Sequence, residues 1–176
     1  MNVLAIDTAT PYLVLGTLFS ELTLLRGRRH AEMIFADIDA FLDWANLTKE
    51  KIELIVVGEG PGSYTGLRIG AAAALGIAQA LGIPLVGAST LAAVASRRRG
   101  LVRPAFSTRS GHIYTALYRI TSTTRQAIIE PAKIQAATPP EDACLLIDQP
   151  PSGKALAQLG KIAYDNGARS FNSLYL

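Results

Sequence analysis

Residues 52–70, IELIVVGEGPGSYTGLRIG, set a continuous β-branched run directly against a glycine-rich turn, and the turn opens a segment made mostly of small residues. Such a run suits a strand covered on both faces, as in a parallel sheet flanked by helices. The segment that follows, LRIGAAAALGIAQALG, predicts a helix ending at Gly82, a residue free to take the left-handed conformation that stops a helix. Strand, tight turn and helix in this order commit the chain to a layered α/β architecture.

The flanking segments narrow the choice. NVLAIDTAT predicts a core strand ending near Asp7, and YLVLGTLF with LTLLRG reads as a hairpin. Apolar residues at helical spacing predict a helix over about residues 30 to 46. Pro84 admits a short strand, PLVGA, and Ser89 or Thr90 is placed to cap a third helix, TLAAVASRRR. The order βββαβαβα matches a ribonuclease-H-like half, in which later strands join the first in parallel. From about residue 100 the composition shifts toward Ser, Thr, Gln and Pro. A division follows into a ribonuclease-H-like N-terminal lobe, 1–100, and a smaller second lobe, 101–176, whose final helix is free to pack back on the first. In that lobe LVRPAFS, HIYTALYRI, QAIIE and ACLLID read as strands. PAKIQAATPPED reads as a weak helix or loop, and SGKALAQLGKIAYDNGA as an amphipathic helix.

Composition bounds the function classes. A chain of 176 residues, 49% apolar and 18% charged, buries a core without staples, and its apolar excess suggests burial between subunits as well. The single cysteine, Cys144, lies in the apolar run ACLLI and is expected to be a packed thiol. One cysteine, no signal-peptide pattern and no apolar run near membrane-spanning length point to a cytoplasmic protein without membrane contact. A net charge of +3 decides nothing by itself, but Arg26, Arg28 and Arg29 form one basic cluster and Arg97, Arg98, Arg99 and Arg103 another. They read as a solvated turn and a helix end, with an RNA or partner surface as the alternative.

The glycine loop fails the two phosphate motifs that it superficially suggests. A Walker A loop needs Lys and a hydroxyl residue after its last glycine, where this chain has Leu67 and Arg68. A dinucleotide fold needs G-x-G-x-x-G after the first strand and an acid about 20 residues later. Here Gly60, Gly62 and Gly66 follow the fourth strand, and the next strand ends in Gly87, Ala88 and Ser89. The glycines allow close backbone approach, Pro61 stiffens the turn, and Ser63 or Thr65 can cap the helix. A capped helix start of this kind attracts an anion or a partner's carboxylate.

Asp7, Glu59 and either Glu32 or Asp37 occupy roughly the positions at which ribonuclease-H-like nucleases hold two metals. A metal-dependent nuclease or nucleotide hydrolase using Asp7 and Glu59 is therefore the enzyme alternative. His30 and His112 stand at no metal-ligand spacing and are expected at the surface or at strand ends.

GPGSYTGLRIG, comprising Gly60, Pro61, Gly62, Ser63, Tyr64, Thr65, Gly66, Leu67, Arg68, Ile69 and Gly70, resembles the signature of the TsaB (YeaZ) family. LAIDTAT, IPLVGASTLAAVA and RSGHIYTALY fall in that family's order, so the resemblance spans nearly the whole chain. It implies an α/β, actin-like and Hsp70-like ATPase fold with two lobes, the second reduced. It implies a non-catalytic subunit of the bacterial machinery that forms N6-threonylcarbamoyladenosine in tRNAs reading codons that begin with A. The implied partners are TsaD and TsaE homologues, a second copy when the chain is alone, and tRNA through the complex. No metal or cofactor is implied for this chain alone, and ATP only at the assembled complex. The implied interface lies on the first two helices, about residues 30 to 46 and 66 to 82, with Met33, Ile34, Asp37, Ala73, Ala74 and Ile77 as its candidate residues.

The residues agree with a loss of catalysis. Asp7 is followed by Thr8, Ala9 and Thr10, not by a glycine turn, and the H-x-x-x-H metal pair of TsaD is missing. Three positions depart from the family: Ser107-Thr108-Arg109 replaces a frequent Asp-Ala-Arg, Ala31 replaces a frequent serine, and the sequence given ends SLYL.

Overall fold

A computed structural model describes residues 1–27, 29–108, 110–122, 124–135 and 142–171. Arg28, Arg109, the 136–141 part of PAKIQAATPPED and all of SLYL lie outside the described residues.

The first three strands, β1 (Val3–Asp7), β2 (Tyr12–Gly16) and β3 (Glu21–Leu25), form an antiparallel meander. After α1 (His30–Trp44), strands β4 (Leu54–Gly58) and β5 (Leu85–Ala88) flank α2 (Tyr64–Leu81), and both run parallel to β1. The sheet order is β3-β2-β1-β4-β5, the ribonuclease-H-like half expected from the sequence. Strand alternation assigns its faces. Leu4, Ile6, Ile55 and Val57 meet Ile34, Ile38, Phe41, Ala73, Ala74 and Ala78 of α1 and α2. Val3, Ala5, Leu54 and Val56 meet Ala155, Leu156 and Ala157 of the last helix, α4 (Gly153–Asp165). β1 and β4 are buried at every residue, as sandwiched strands must be.

The second sheet has the order β8-β7-β6-β9, from β6 (Gly100–Ser107), β7 (His112–Ile120), β8 (Arg125–Gln135) and β9 (Cys144–Ile147). Its inner face packs Val102, Phe106, Ala116, Tyr118 and Ile120 against Leu91, Val94 and Ala95 of α3 (Thr90–Ala95). Two expectations are corrected here. The segment 131–135 is the end of β8, not a helix or loop; β8 is an edge strand, where Pro131 forfeits no interior ladder bond. β9 is likewise an edge strand with Leu145 and Ile147 exposed, so Cys144 is half-buried and not a packed core thiol.

Helix ends follow local chemistry. Ser63 accepts from the Gly66 amide at 3.2 Å and starts α2, and Gly82, at φ 65°, ends it. Ser89 caps α3 through the Ala92 amide, which leaves Thr90 for another task. No helix among the described residues is long and apolar enough to cross a membrane.

Candidate functional site

The C-terminal ends of β1, β4 and β5 converge on the glycine loop, the position where open α/β sheets carry their sites. Thr90 ties the parts together. Its hydroxyl donates to Asp7 Oδ2 at 2.6 Å and accepts from the Gly60 amide at 3.1 Å, and its own amide donates to the Gly60 carbonyl at 3.1 Å. The other carboxylate oxygen, Asp7 Oδ1, accepts from the Ala9 amide at 2.8 Å. Gly60 has φ 89°, and the Gly60–Pro61 bond is cis. The Ser63 amide donates to the Ala9 carbonyl at 2.7 Å, and the Thr8 hydroxyl to the Gly66 carbonyl at 2.7 Å. The start of α2 is thereby pinned to the exit of β1. A Cβ at Gly66 would stand 2.1 Å from the Thr8 carbonyl oxygen, so this approach requires glycine.

Asp7 is fully buried. Burial raises its carboxyl from the ordinary 3.8 to about 6, against the lowering pull of the Thr90 hydroxyl and the Ala9 amide. A folded-state value above the unfolded one adds stability in full below about pH 4, and that stability is lost as pH rises through about 6. The shift corresponds to about 3 kcal/mol. Denaturant midpoints of Asp7→Asn and the parent chain, measured across pH 4 to 7, should therefore diverge in the variant's favour as pH rises. Parallel curves would show that Asp7 is ionised in the fold throughout.

The enzyme alternative needs carboxylates that face a metal together, and neither Glu32 nor Asp37 joins Asp7 in this fold. Asp7 is occupied by Thr90 and Ala9. Asp37 is held by Arg26, with Nε 2.8 Å from Oδ2, and Glu32 points to solvent in the first turn of α1. Among the described residues no three His, Cys, Asp or Glu side chains cluster as a metal would require. His30 is not at the surface as expected: it is 4% exposed, with Nε2 3.1 Å from the Thr10 carbonyl oxygen. His112 starts β7, half-buried, with Nδ1 3.2 Å from the Ser110 hydroxyl.

The interface candidates divide. Ile34, Ala73 and Ala74 are core residues facing the sheet, and Asp37 is buried in its pair with Arg26, so none of these four offers a surface in this chain. Small side chains suit a helix laid close on a sheet as well as an interface, and Ala73 and Ala74 serve the sheet here. Met33 is half-buried, and half-buried Ile77 lines a groove of about 150 Å³ with Phe35, Ile38, Leu42, Ala80 and Leu81. The sequence reading missed the outward apolar residues Phe35, 57% exposed, and Leu75, 43% exposed. In the signature, Tyr64, Thr65 and Arg68 are outward, with the Arg68 guanidinium 5.4 Å from the Tyr64 ring centroid. Pro61, Gly66, Leu67 and Gly70 are buried, and Gly62 and Ile69 half-buried.

Of the second basic cluster, Arg97 is committed inward: Nε and Nη2 donate to the Pro150 and Pro151 carbonyls at 2.8 and 2.9 Å. Arg98 and Arg99 remain outward.

A model of the family described as TsaD, tRNA N6-adenosine threonylcarbamoyltransferase, matches residues 24–168. The chain belongs to this family. Within the TsaD family it sides with the TsaB (YeaZ) proteins. It is 34% identical over 127 residues to the tRNA threonylcarbamoyladenosine biosynthesis protein TsaB of Bacillus subtilis, a match covering 68% of this chain and 56% of that protein. It is also 34% identical over 129 residues to the Escherichia coli protein of the same name, covering 68% and 55%. The chain spans little more than half the length of these curated relatives. YeaZ from Pseudomonas aeruginosa superimposes with a TM-score of 0.85 at 22% identity, over 99% of both chains. That likeness establishes the shared fold, the actin-like ATPase fold of TsaD-type domains.

Proposed function

We propose that this chain serves the formation of N6-threonylcarbamoyladenosine in tRNA as a non-catalytic subunit that pairs with a TsaD homologue in the cytoplasm. The observation that carries this reading is the contrast between two regions. At the converging strand ends the buried acid Asp7 is satisfied within the fold, whereas Phe35 of α1 stands exposed at an apolar groove lined from α2 by Ile77, Ala80 and Leu81. An exposed aromatic at the rim of an apolar groove is the kind of feature a partner surface uses. Alone, the chain pairs with a second copy through the same side. In the assembly, a TsaE homologue and ATP act at the complex, and tRNA is engaged through the complex.

In a reaction reconstituted with the TsaD and TsaE homologues of its own organism, omitting this chain should lower the yield of the modified nucleoside at least about tenfold, roughly one partner-binding contact's worth of free energy. Asp7→Asn should leave that yield within about twofold. A folded Asp7→Asn protein that abolishes the yield would favour an enzymatic role for this chain.

A further inference from the structure

Residues 60–129 contain eight arginines and no lysine, aspartate or glutamate. The rest of the chain holds nine cations and fourteen acids, so the net charge of +3 divides into +8 on this stretch and −5 elsewhere. A solvated surface ordinarily mixes the two signs, whereas a block of one sign sets up a field that draws the opposite one. Seven of the eight, from Arg97 to Arg125, fall between the end of α3 and the start of β8.

The second sheet brings several of them to one face. Tyr118 and Ile120 point into the core beneath α3, so exposed Arg119 between them points out. Leu101 pairs with Arg119 and Gly100 with Ile120, which sets the exposed corner of Arg98 and Arg99 alongside Arg119. Arg103 of β6 turns to the same outer face, with Nε 3.3 Å from the Thr115 hydroxyl. Exposed Thr121 and Thr124 add hydroxyls at this end of β7. On the inner face Arg125 donates to the Ser96 hydroxyl at 2.7 Å and to Gln158 Oε1 at 2.8 Å, neutral groups that leave its charge uncancelled. None of Arg98, Arg99 and Arg119 forms an ion pair among the described residues.

This face is clear of the side assigned to pairing. The second sheet packs on α3 and on Leu159 of α4, and α4 covers the face of the first sheet opposite α1 and α2. The exposed aromatic residues Phe19, Phe35, Trp44 and Tyr64 all lie outside the second sheet. Aromatic anchors are what a tight protein partner and a single-stranded nucleic acid both use. Guanidinium forks and hydroxyls without an exposed ring suit instead the phosphates of a folded RNA.

We propose that the outer face of the second sheet, through Arg98, Arg99 and Arg119, holds the phosphate backbone of folded tRNA directly. The contact positions the RNA and reads no base. It rests on the reading that the chain serves tRNA modification, and not on pairing through α1 and α2.

The test is the anisotropy of a labelled tRNA transcript titrated with the full chain at several salt concentrations. Three phosphate contacts predict a log–log slope of about −2 to −3, so affinity should fall roughly 20- to 60-fold between about 50 and 200 mM salt. The triple variant Arg98→Gln, Arg99→Gln, Arg119→Gln should bind at least about tenfold more weakly at the lower salt and lose about one unit of slope per arginine. Should the triple variant fail to fold, Arg119→Gln alone should still lose about one unit. Lys51→Gln, Lys154→Gln, Lys161→Gln removes the same charge from exposed positions elsewhere and should keep both slope and affinity. Equal losses from the two triple variants, or no salt-dependent binding by the parent chain, would overturn the proposal. So would an arginine triple variant that keeps its tRNA affinity but no longer co-elutes with the TsaD homologue, since the face would then serve an acidic protein. A parent chain that elutes apart from the TsaD homologue yet binds tRNA through these arginines would sink the pairing reading and uphold this one.

Discussion

Ala74→Arg is expected to leave no stably folded protein. Ala74 is wholly buried where α2 lies on the sheet, in one cluster with Leu4, Ile6, Ile55 and Val57. An arginine there must either carry an unpaired charge into that cluster or lift the helix away from the sheet. Burying such a group costs several kcal/mol, against a net stability of about 5–15 kcal/mol for a domain of this kind. Circular dichroism during heating should show a melt tens of degrees lower or none at all. A variant as stable as its parent would place Ala74 at the surface and reverse the assignment of faces on α2.

Phe35→Asp, one helix away, should do the opposite. Phe35 is 57% exposed, so the monomer's stability should change by no more than about 0.5 kcal/mol. Association through this side should weaken by roughly 2–4 kcal/mol, the cost of removing a central aromatic anchor from an interface. The pair of outcomes, folding lost from the inner face and association lost from the outer, separates packing from pairing where the sequence could not.

That separation shows why the fold was more legible than the site. The β-branched run ending at Gly58 and the alternation of Val3, Leu4, Ala5 and Ile6 state strand burial directly, because period and burial are the same signal. Ser63 and Gly82 mark the ends of α2 by local chemistry alone. On α2 itself, alanine and glycine occupy every side, so their spacing names no buried face, and Ala73 and Ala74, which the family resemblance implies as interface residues, lie inward. Asp37 reads as a metal-site or interface candidate until Arg26, eleven residues earlier, is brought against it by the turn from β3 into α1. Thr90 shares its capping signal with Ser89, and only the three-dimensional approach of β1 and β5 makes it the link between Asp7 and Gly60. His30 likewise owes its burial to Thr10, twenty residues away in sequence. β8 runs past Pro131 because it is an edge strand, and edge position is a property of the sheet, not of the segment.

The central claim is that this chain acts by pairing through the outer side of α1 and α2. Size-exclusion chromatography with light scattering, on an equimolar mixture with its own organism's TsaD homologue at about 10 µM, tests it most directly, since micromolar affinity is the least a working subunit needs. The account predicts one peak with the summed mass for the parent chain and two separate peaks for Phe35→Asp. Separate elution of the parent chain, or undiminished co-elution of folded Phe35→Asp, would contradict it.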